Sequence, residues 1–272
     1  MLAPQRQAHI LEVVRRAGGV RVSEIVRALG VSDMTVRRDL EALAARGLLA
    51  KVHGGATAIL TASTHEPGFA AKSTRQRIEK EAIAARAATL VNPGTAIGIS
   101  AGTTTYALTR WLVDVPGITV VTNSVQVADL LHQGTRTDQT VILTGGVRTP
   151  SDALVGPFAV AAVRSLHVDL VFMGVHGMDP HSGFTTPNMM EAETDRALVE
   201  AARRLVVLAD HTKWGVVGIS SIARLDEADV LVTDDHLDAE AQAVLAENVG
   251  DLMLARVVTP STTGWADPNK LG

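Results

Sequence analysis

Apolar positions recur at helical spacing through the first fifty residues. After residue 95 they gather instead into short, almost wholly apolar runs separated by polar, glycine-containing stretches. Ile10, Leu11 and Val14 share one face of a helix over residues 4 to 17, with Pro4 suited to its first turn. Ser23 is placed to cap a second helix that buries Ile25 and Leu29. Gly30 supplies a left-handed stop, and Ser32 offers its hydroxyl to the free N–H groups of a third helix. There Val36, Leu40 and Leu43 fall on one side, and Met34, Arg37, Arg38 and Glu41 on the other. Gly47 ends that helix, and LLAKVHGGATAIL alternates around Gly54-Gly55, as a tight hairpin requires.

EKEAIAARAATLV predicts a further helix, with Ile83, Ala87 and Leu90 on one face, closed by the NPG turn. Seven β-rich runs follow: AIGIS, ITVVT, TVILTGG, VDLVFMGV, RLVVLAD, DVLVTDD and LMLARVV. Each is mostly apolar rather than alternating, so both faces are covered, and helical segments lie between them. That pattern belongs to a parallel sheet. The predicted class is α/β: a winged helix-turn-helix domain over residues 1–60, a linker over 61–78, a Rossmann-like, mostly parallel α/β domain over 79–260, and a tail over 261–272.

The third helix carries the first chemistry. Arg37 and Arg38 flank a first turn containing Ser32, Asp33, Met34 and Thr35, offering cations for phosphates and short polar groups for base edges. Arg21, Lys51, His53 and Gly54 complete the expected DNA-contacting set. An arginine pair alone is usually a solvated face. The ordered succession of cap, stop, cap, arginine pair and glycine hairpin within forty residues is far more specific.

Charge distribution supports this reading. Residues 1–60 hold nine Lys or Arg against five acids, a net +4, whereas the remainder holds 16 against 24, a net −8. A basic head on an acidic body fits a chain in which one domain meets nucleic acid. Without cysteine there is neither a disulfide framework nor a Cys-ligated zinc site. No apolar run approaches the roughly 18 residues of a membrane helix, and MLAPQRQAHI is no secretory signal, so a cytoplasmic protein is expected.

In open parallel sheets ligands bind where strands end at their carboxyl edges. After AIGIS, Ser100, Ala101, Gly102, Thr103, Thr104 and Thr105 lead into a helix, as in a phosphate cradle. The same segment also caps ordinary helices and lacks the spacing of a nucleotide motif. Later strand ends add Thr122, Asn123 and Ser124; then Gly145, Gly146, Arg148 and Asp152; then Gly174, His176, Gly177 and Asp179. Glu191, Asp210 and Lys213 complete the candidate ligand-binding set, which suits a small polyhydroxylated anion such as a phosphorylated sugar. His176 and His181 flank Asp179 without helical metal-ligand spacing, so no metal and no cofactor are expected.

VSDMTVRRDLEALAARGLLAKVHGGA resembles the signature of the DeoR family of bacterial transcriptional regulators. SAGTTTYALTRWL, VVTNSVQVADLL, LTGGVRTPSDALVGP, VDLVFMGVHGMDPHSGFTTPNMMEAE and LADHTKWG resemble that family's effector domain, which is related to ribose-phosphate isomerases and glucosamine-phosphate deaminases. The resemblance implies a homo-oligomeric repressor of carbohydrate-metabolism genes that binds double-stranded operator DNA and is released by a phosphorylated sugar. Ser100 stands where the family usually carries Asp. An alternative is an active sugar-phosphate isomerase or deaminase fused to a DNA-binding domain, with Asp179, Glu191, Asp210 and Lys213 as acids and base.

Overall fold

A computed structural model describes residues 3–17, 19–45, 48–52, 54–57 and 68–258. Gly47, His53, the 61–67 part of the expected linker and the 261–272 tail lie outside the described residues, as does the Pro4 side chain. The chain forms two compact units, Met1–Ser63 and Thr64–Gly272.

The first unit runs α1 (Ala3–Ala17), β1 (Gly19–Arg21), α2 (Val22–Leu29), α3 (Asp33–Ala45), β2 (Ala50–Val52) and β3 (Gly55–Thr57). Ile10 and Val14 of α1, Ile25 of α2, and Val36, Leu40 and Leu43 of α3 close one small core. Gly30 takes the left-handed conformation (φ 63°) that the stop between α2 and α3 requires, and its N–H reaches the Val26 carbonyl at 2.9 Å. The Ser32 hydroxyl accepts from the Thr35 N–H at 3.2 Å and caps α3.

Two features differ from the sequence reading. Ser23 lies inside α2 rather than capping it; the helix begins one residue earlier, and the Glu24 carboxylate accepts from the Arg21 N–H at 2.9 Å. The hairpin turn includes Gly54 but not Gly55, because Val52 pairs with Gly55, and of the two glycines Gly54 has the positive φ (81°). Gly55 is a strand residue beside β1, a third strand that pairs antiparallel with β3 and was too short for periodicity to reveal. Polar side chains also join α1 to α3. Arg6, and Gln7 at 3.0 Å, donate to Asp39, which is buried on α3. Burial pushes the Asp39 pKa up, but those hydrogen bonds and the Arg6 and Arg38 charges outweigh it and hold the carboxyl below its usual range.

The second unit opens with α4 (Phe69–Ser73) and α5 (Arg77–Ala88), so the described part of the expected linker is partly helical. Phe69 meets Tyr106 edge-on at 5.6 Å, and its N–H donates to the Pro150 carbonyl, giving this polar stretch an anchor that composition does not show. There follow β4 (Ala96–Ile99), α6 (Thr103–Leu112), β5 (Thr119–Thr122), α7 (Val125–His132), β6 (Thr140–Leu143), β7 (Val147–Arg148), β8 (Leu154–Val155) and α8 (Pro157–Arg164). Then come β9 (Leu170–Gly174), β10 (Gly177–Asp179), β11 (Gly183–Thr186), α9 (Met189–Glu200), β12 (Leu205–Leu208), β13 (Ser220–Ala223), β14 (Val230–Asp234), α10 (Ala239–Asn248) and β15 (Leu252–Ala255).

All seven apolar runs become strands of one sheet, ordered β15-β14-β12-β9-β4-β5-β6 and parallel throughout. Alternate side chains enter two cores. Val171 and Met173 of β9 join α8, α9 and α10 on one face; Leu170 and Phe172 join α5, α6 and α7 on the other. The strand order reverses between β4 and β9, the point at which doubly wound sheets open a crevice. Two antiparallel additions, the β7–β8 hairpin and the small β10-β11-β13 sheet, lie outside the seven apolar runs.

Candidate functional site

On the first unit, α3 presents Met34, 77% exposed, with Asp33, Arg37 and Arg38 also exposed. Arg37 pairs with Asp33 one turn earlier, and Lys51 of β2 reaches Glu41 at 2.5 Å, tying the wing to α3. Arg38 has no ion-pair partner among the described residues. Its guanidinium is therefore the member of the pair that a phosphate can take without displacing a carboxylate. Thr35 is partly committed, since its hydroxyl lies 2.8 Å from Ser32 Oγ. Arg21 and Gly54 are exposed where β1 and the hairpin turn adjoin, and the Gly54 carbonyl accepts from the Val22 N–H at 2.9 Å.

On the second unit the predicted residues separate into groups. At the switch point Ser100 is fully buried, and its hydroxyl accepts from the Gly174 N–H at 3.0 Å, joining the loop after β4 to the end of β9. Asn123 Oδ1 accepts from the Ala101 N–H at 2.8 Å, so its side chain shapes the same loop. A Cβ on Gly102 would lie 3.9 Å from the Gly174 Cα, which shows how closely the two loops approach. Thr105 and Thr122 spend their hydroxyls on the carbonyls of Gly102 and Ile99, and Ser124 caps α7. Thr103 and Thr104 make no side-chain hydrogen bond among the described residues, although Thr104 is buried. These two hydroxyls are unengaged among the described residues.

A second group is cationic, and of its members Lys72, Arg75, Lys80 and Lys213 only Lys213 was read from the sequence. Lys80 of α5 is buried and donates to the carbonyls of Lys72 and Arg75, each at 2.7 Å. Burial lowers its pKa to about 8; the Asp210 carboxylate opposes the shift, and the nearby cations Lys213, Lys72 and Arg75 add to it. Lys213 makes no side-chain hydrogen bond or ion pair among the described residues. Asp210 is buried and caps the turn His211–Lys213 through the Thr212 N–H at 3.1 Å. Lys72 of α4, Arg75 of the turn after it and Lys80 of α5 lie 130 or more residues before Asp210 in sequence, so nothing local marked them.

Lys72 also joins a third group. Its ammonium donates to Ser151 Oγ at 2.7 Å. Nearby, Glu191 accepts from Thr149 at 2.8 Å and from Thr186 at 3.3 Å. Burial, then the Glu191 charge, push Asp195 well above the usual carboxylate range, with Lys72 and Arg196 opposing. Glu191 is thus a hydrogen-bonded member of the strand-end cluster, and Asp195, one turn further along α9, is buried.

The remaining candidates have local duties. Asp152, with φ 61°, pairs with Arg148 at 2.8 Å within the β7–β8 hairpin, and Gly145 and Gly146, both at positive φ, turn the chain between β6 and β7. Asp179 accepts from the N–H groups of His181 and Ser182, both at 2.9 Å, and so caps the β10–β11 turn. The His176 N–H pairs with the Thr185 carbonyl. Gly177 is required by packing, since a Cβ there would lie 2.0 Å from the Val216 carbonyl oxygen.

Comparison with known proteins agrees with both units. The DeoR-like helix-turn-helix domain matches residues 6–62, and the DeoR C terminal sensor domain matches residues 75–235. The HTH-type transcriptional regulator GlpR of Haloferax volcanii is 37% identical over 89% of this chain and 94% of its own. The glycerol-3-phosphate regulon repressor of Escherichia coli is 30% identical over 91% of this chain and 97% of its own. Among solved structures, ribose 5-phosphate isomerase A from Neisseria gonorrhoeae aligns with a TM-score of 0.39 and 16% identity, over 55% of this chain and 57% of that one. With both characteristic domains in order and relatives matched nearly end to end, the chain belongs to the DeoR family of helix-turn-helix transcriptional regulators.

Proposed function

We propose that this regulator represses carbohydrate- or polyol-phosphate-metabolism genes by binding a double-stranded operator, and that a phosphorylated sugar or related metabolite releases it. The observation that carries the reading is the cationic cluster of Lys72, Lys80 and Lys213 around Asp210 after β12, with the unengaged hydroxyls of Thr103 and Thr104 following β4 at the same carboxyl edge of the parallel sheet. Exposed Phe158 and Met189 on the sensor unit support a homo-oligomer, in which two winged domains read half-sites about 34–36 Å apart or a multiple of that. A ligand that prefers the wrong spacing weakens operator binding by its differential affinity. The regulator acts without catalysis. Proton shuttling needs an unengaged carboxylate aimed at substrate carbon, whereas Asp179 and Asp210 both cap turns. Its place is the cytoplasm, where operator and metabolite meet; among the described residues no helix is long and apolar enough to cross a membrane.

The test is thermal shift against phosphorylated sugars and their unphosphorylated counterparts, followed by DNA release with each hit. Stabilisation by a phosphorylated compound that also releases DNA supports the reading; stabilisation only by unphosphorylated compounds overturns the ligand class. On the DNA side, Arg38→Ala is expected to weaken duplex binding about five- to tenfold at physiological salt and to flatten the log K against log salt slope by about 0.9. Titration across salt concentrations measures both, and an unchanged slope removes Arg38 from the phosphate contacts.

A further inference from the structure

Three residues far apart in sequence bring potential metal ligands together at the carboxyl ends of β12 and β14. Glu79 lies in the first turn of α5, His211 follows Asp210 after β12, and His236 follows β14. One ligand atom from each lies within 4.8 Å of the other two. His236 Nδ1 is 3.6 Å from Glu79 Oε1, and the two imidazoles stand edge to face at 5.5 Å. Behind them Asp234 is fully buried, and its Oδ1 lies 2.8 Å from His211 Nδ1. The Asp234 carboxylate also accepts from the backbone N–H groups of His211 at 2.8 Å and His236 at 3.2 Å, fixing both histidine-bearing segments.

We propose that Glu79, His211 and His236 form a binding site for a divalent cation of the zinc class. The ligand set is two imidazoles and one carboxylate, the donor chemistry of three-ligand zinc sites that leave a fourth position to water or another ligand. Tetrahedral bonds of about 2.0–2.2 Å place neighbouring ligand atoms about 3.4 Å apart. The Glu79–His236 separation already matches, and the half-exposed His236 ring is free to close the remainder. Asp234 supplies the support such a site needs: a carboxylate on His211 Nδ1 keeps its proton there and leaves Nε2 as the ligand nitrogen. A hydrogen-bonded acid and histidine cluster serving only to hold two strand ends is the competing account. It accounts for Asp234, His211 and, through the 3.7 Å approach of His236 Nδ1 to Asp234 Oδ1, the second imidazole, but gives no reason for the Glu79 carboxylate to converge on the same point. The proposal revises the expectation that no metal is bound. Sequence spacing could not reveal the site, because its ligands come from one helix and two separate strand ends.

The experiment uses the untagged full chain, stripped with a chelator and titrated with Zn2+ and with Co2+. One equivalent of Zn2+ should bind and raise the melting temperature of the sensor unit, and Co2+ should develop the visible absorption of a tetrahedral centre. His236→Ala and Glu79→Gln, both on partly exposed side chains, should each weaken binding at least about tenfold while the circular dichroism stays native; Asp234→Asn should weaken it about 10- to 100-fold. The proposal is overturned if the unsubstituted chain binds no stoichiometric metal, or if binding and the Co2+ spectrum persist unchanged in both His236→Ala and Glu79→Gln.

Discussion

Gly55→Ala is expected to destabilise the winged unit strongly and weaken DNA binding, while the sensor unit unfolds as before. The cause is steric rather than conformational. Gly55 pairs with Arg21, and a Cβ would lie 2.2 Å from the Val20 carbonyl oxygen and 3.1 Å from the Arg21 Cα, both backbone atoms that no rotamer change can move. Relief requires parting β1 from β3, which also pulls on the hydrogen bond from the Val22 N–H to the Gly54 carbonyl. Overpacking of this kind costs about 1–3 kcal/mol, and each lost hydrogen bond about 1 more. A unit of some sixty residues has only about 3–9 kcal/mol in total. Its melting transition should therefore fall by roughly 10–20 °C in calorimetry. Gly54→Asn is the informative control: Gly54 has φ 81° with nothing within 4 Å of a Cβ, a setting that Asn tolerates. Equal effects of the two substitutions would refute the steric argument.

Lys213→Ala is expected to weaken binding of the phosphorylated effector about 10- to 100-fold and to leave effector-free DNA binding unchanged. The range follows from the roughly 1.5–3 kcal/mol of a hydrogen bond to a charged group. Lys213 is a cleaner probe than Lys80, whose ammonium already holds the carbonyls of Lys72 and Arg75, so that its removal also strips two acceptors. Thr104→Val, nearly isosteric, should reduce the effector response while preserving the fold, because the Thr104 hydroxyl has no partner among the described residues. A normal response in both variants would move the phosphate site elsewhere.

Lys80 adds a pH signature. With its pKa lowered to about 8, it is largely protonated at pH 7 and loses its charge as pH rises through that value. Effector affinity should accordingly decline above about pH 8, well before an ordinary lysine near 10.4 would titrate. Calorimetric titration between pH 7 and 9.5 measures the decline, and affinity constant across that interval would separate Lys80 from the anion.

Much of this molecule was legible because its signals are local. Buried apolar strands, helix faces at three- and four-residue spacing, the Gly30 stop and the Ser32 cap depend on neighbours within a few positions, and each recurs in the structure. Other features depend on partners that periodicity does not encode. β1 has three residues and exists because β3 lies beside it, and the Asp179 carboxylate is occupied because the β10–β11 turn presents two N–H groups to it. Ser100 shows the same division. Its place after a strand was readable, but the contact to the Gly174 N–H that makes it a bridge between loops was not.

The sequence by itself determined the two-part organisation of a DeoR-family regulator, the parallel sheet and the arginine-bearing third helix, because burial periodicity and capping chemistry act along the chain. Only the tertiary structure decided which charges meet. The reversal of strand order between β4 and β9 and the packing of α5 against the sheet bring Lys80 to Asp210 and Glu79 to His211 and His236, across 130 or more residues. Electrostatic and coordination chemistry depends on distances in space, and the fold alone sets these.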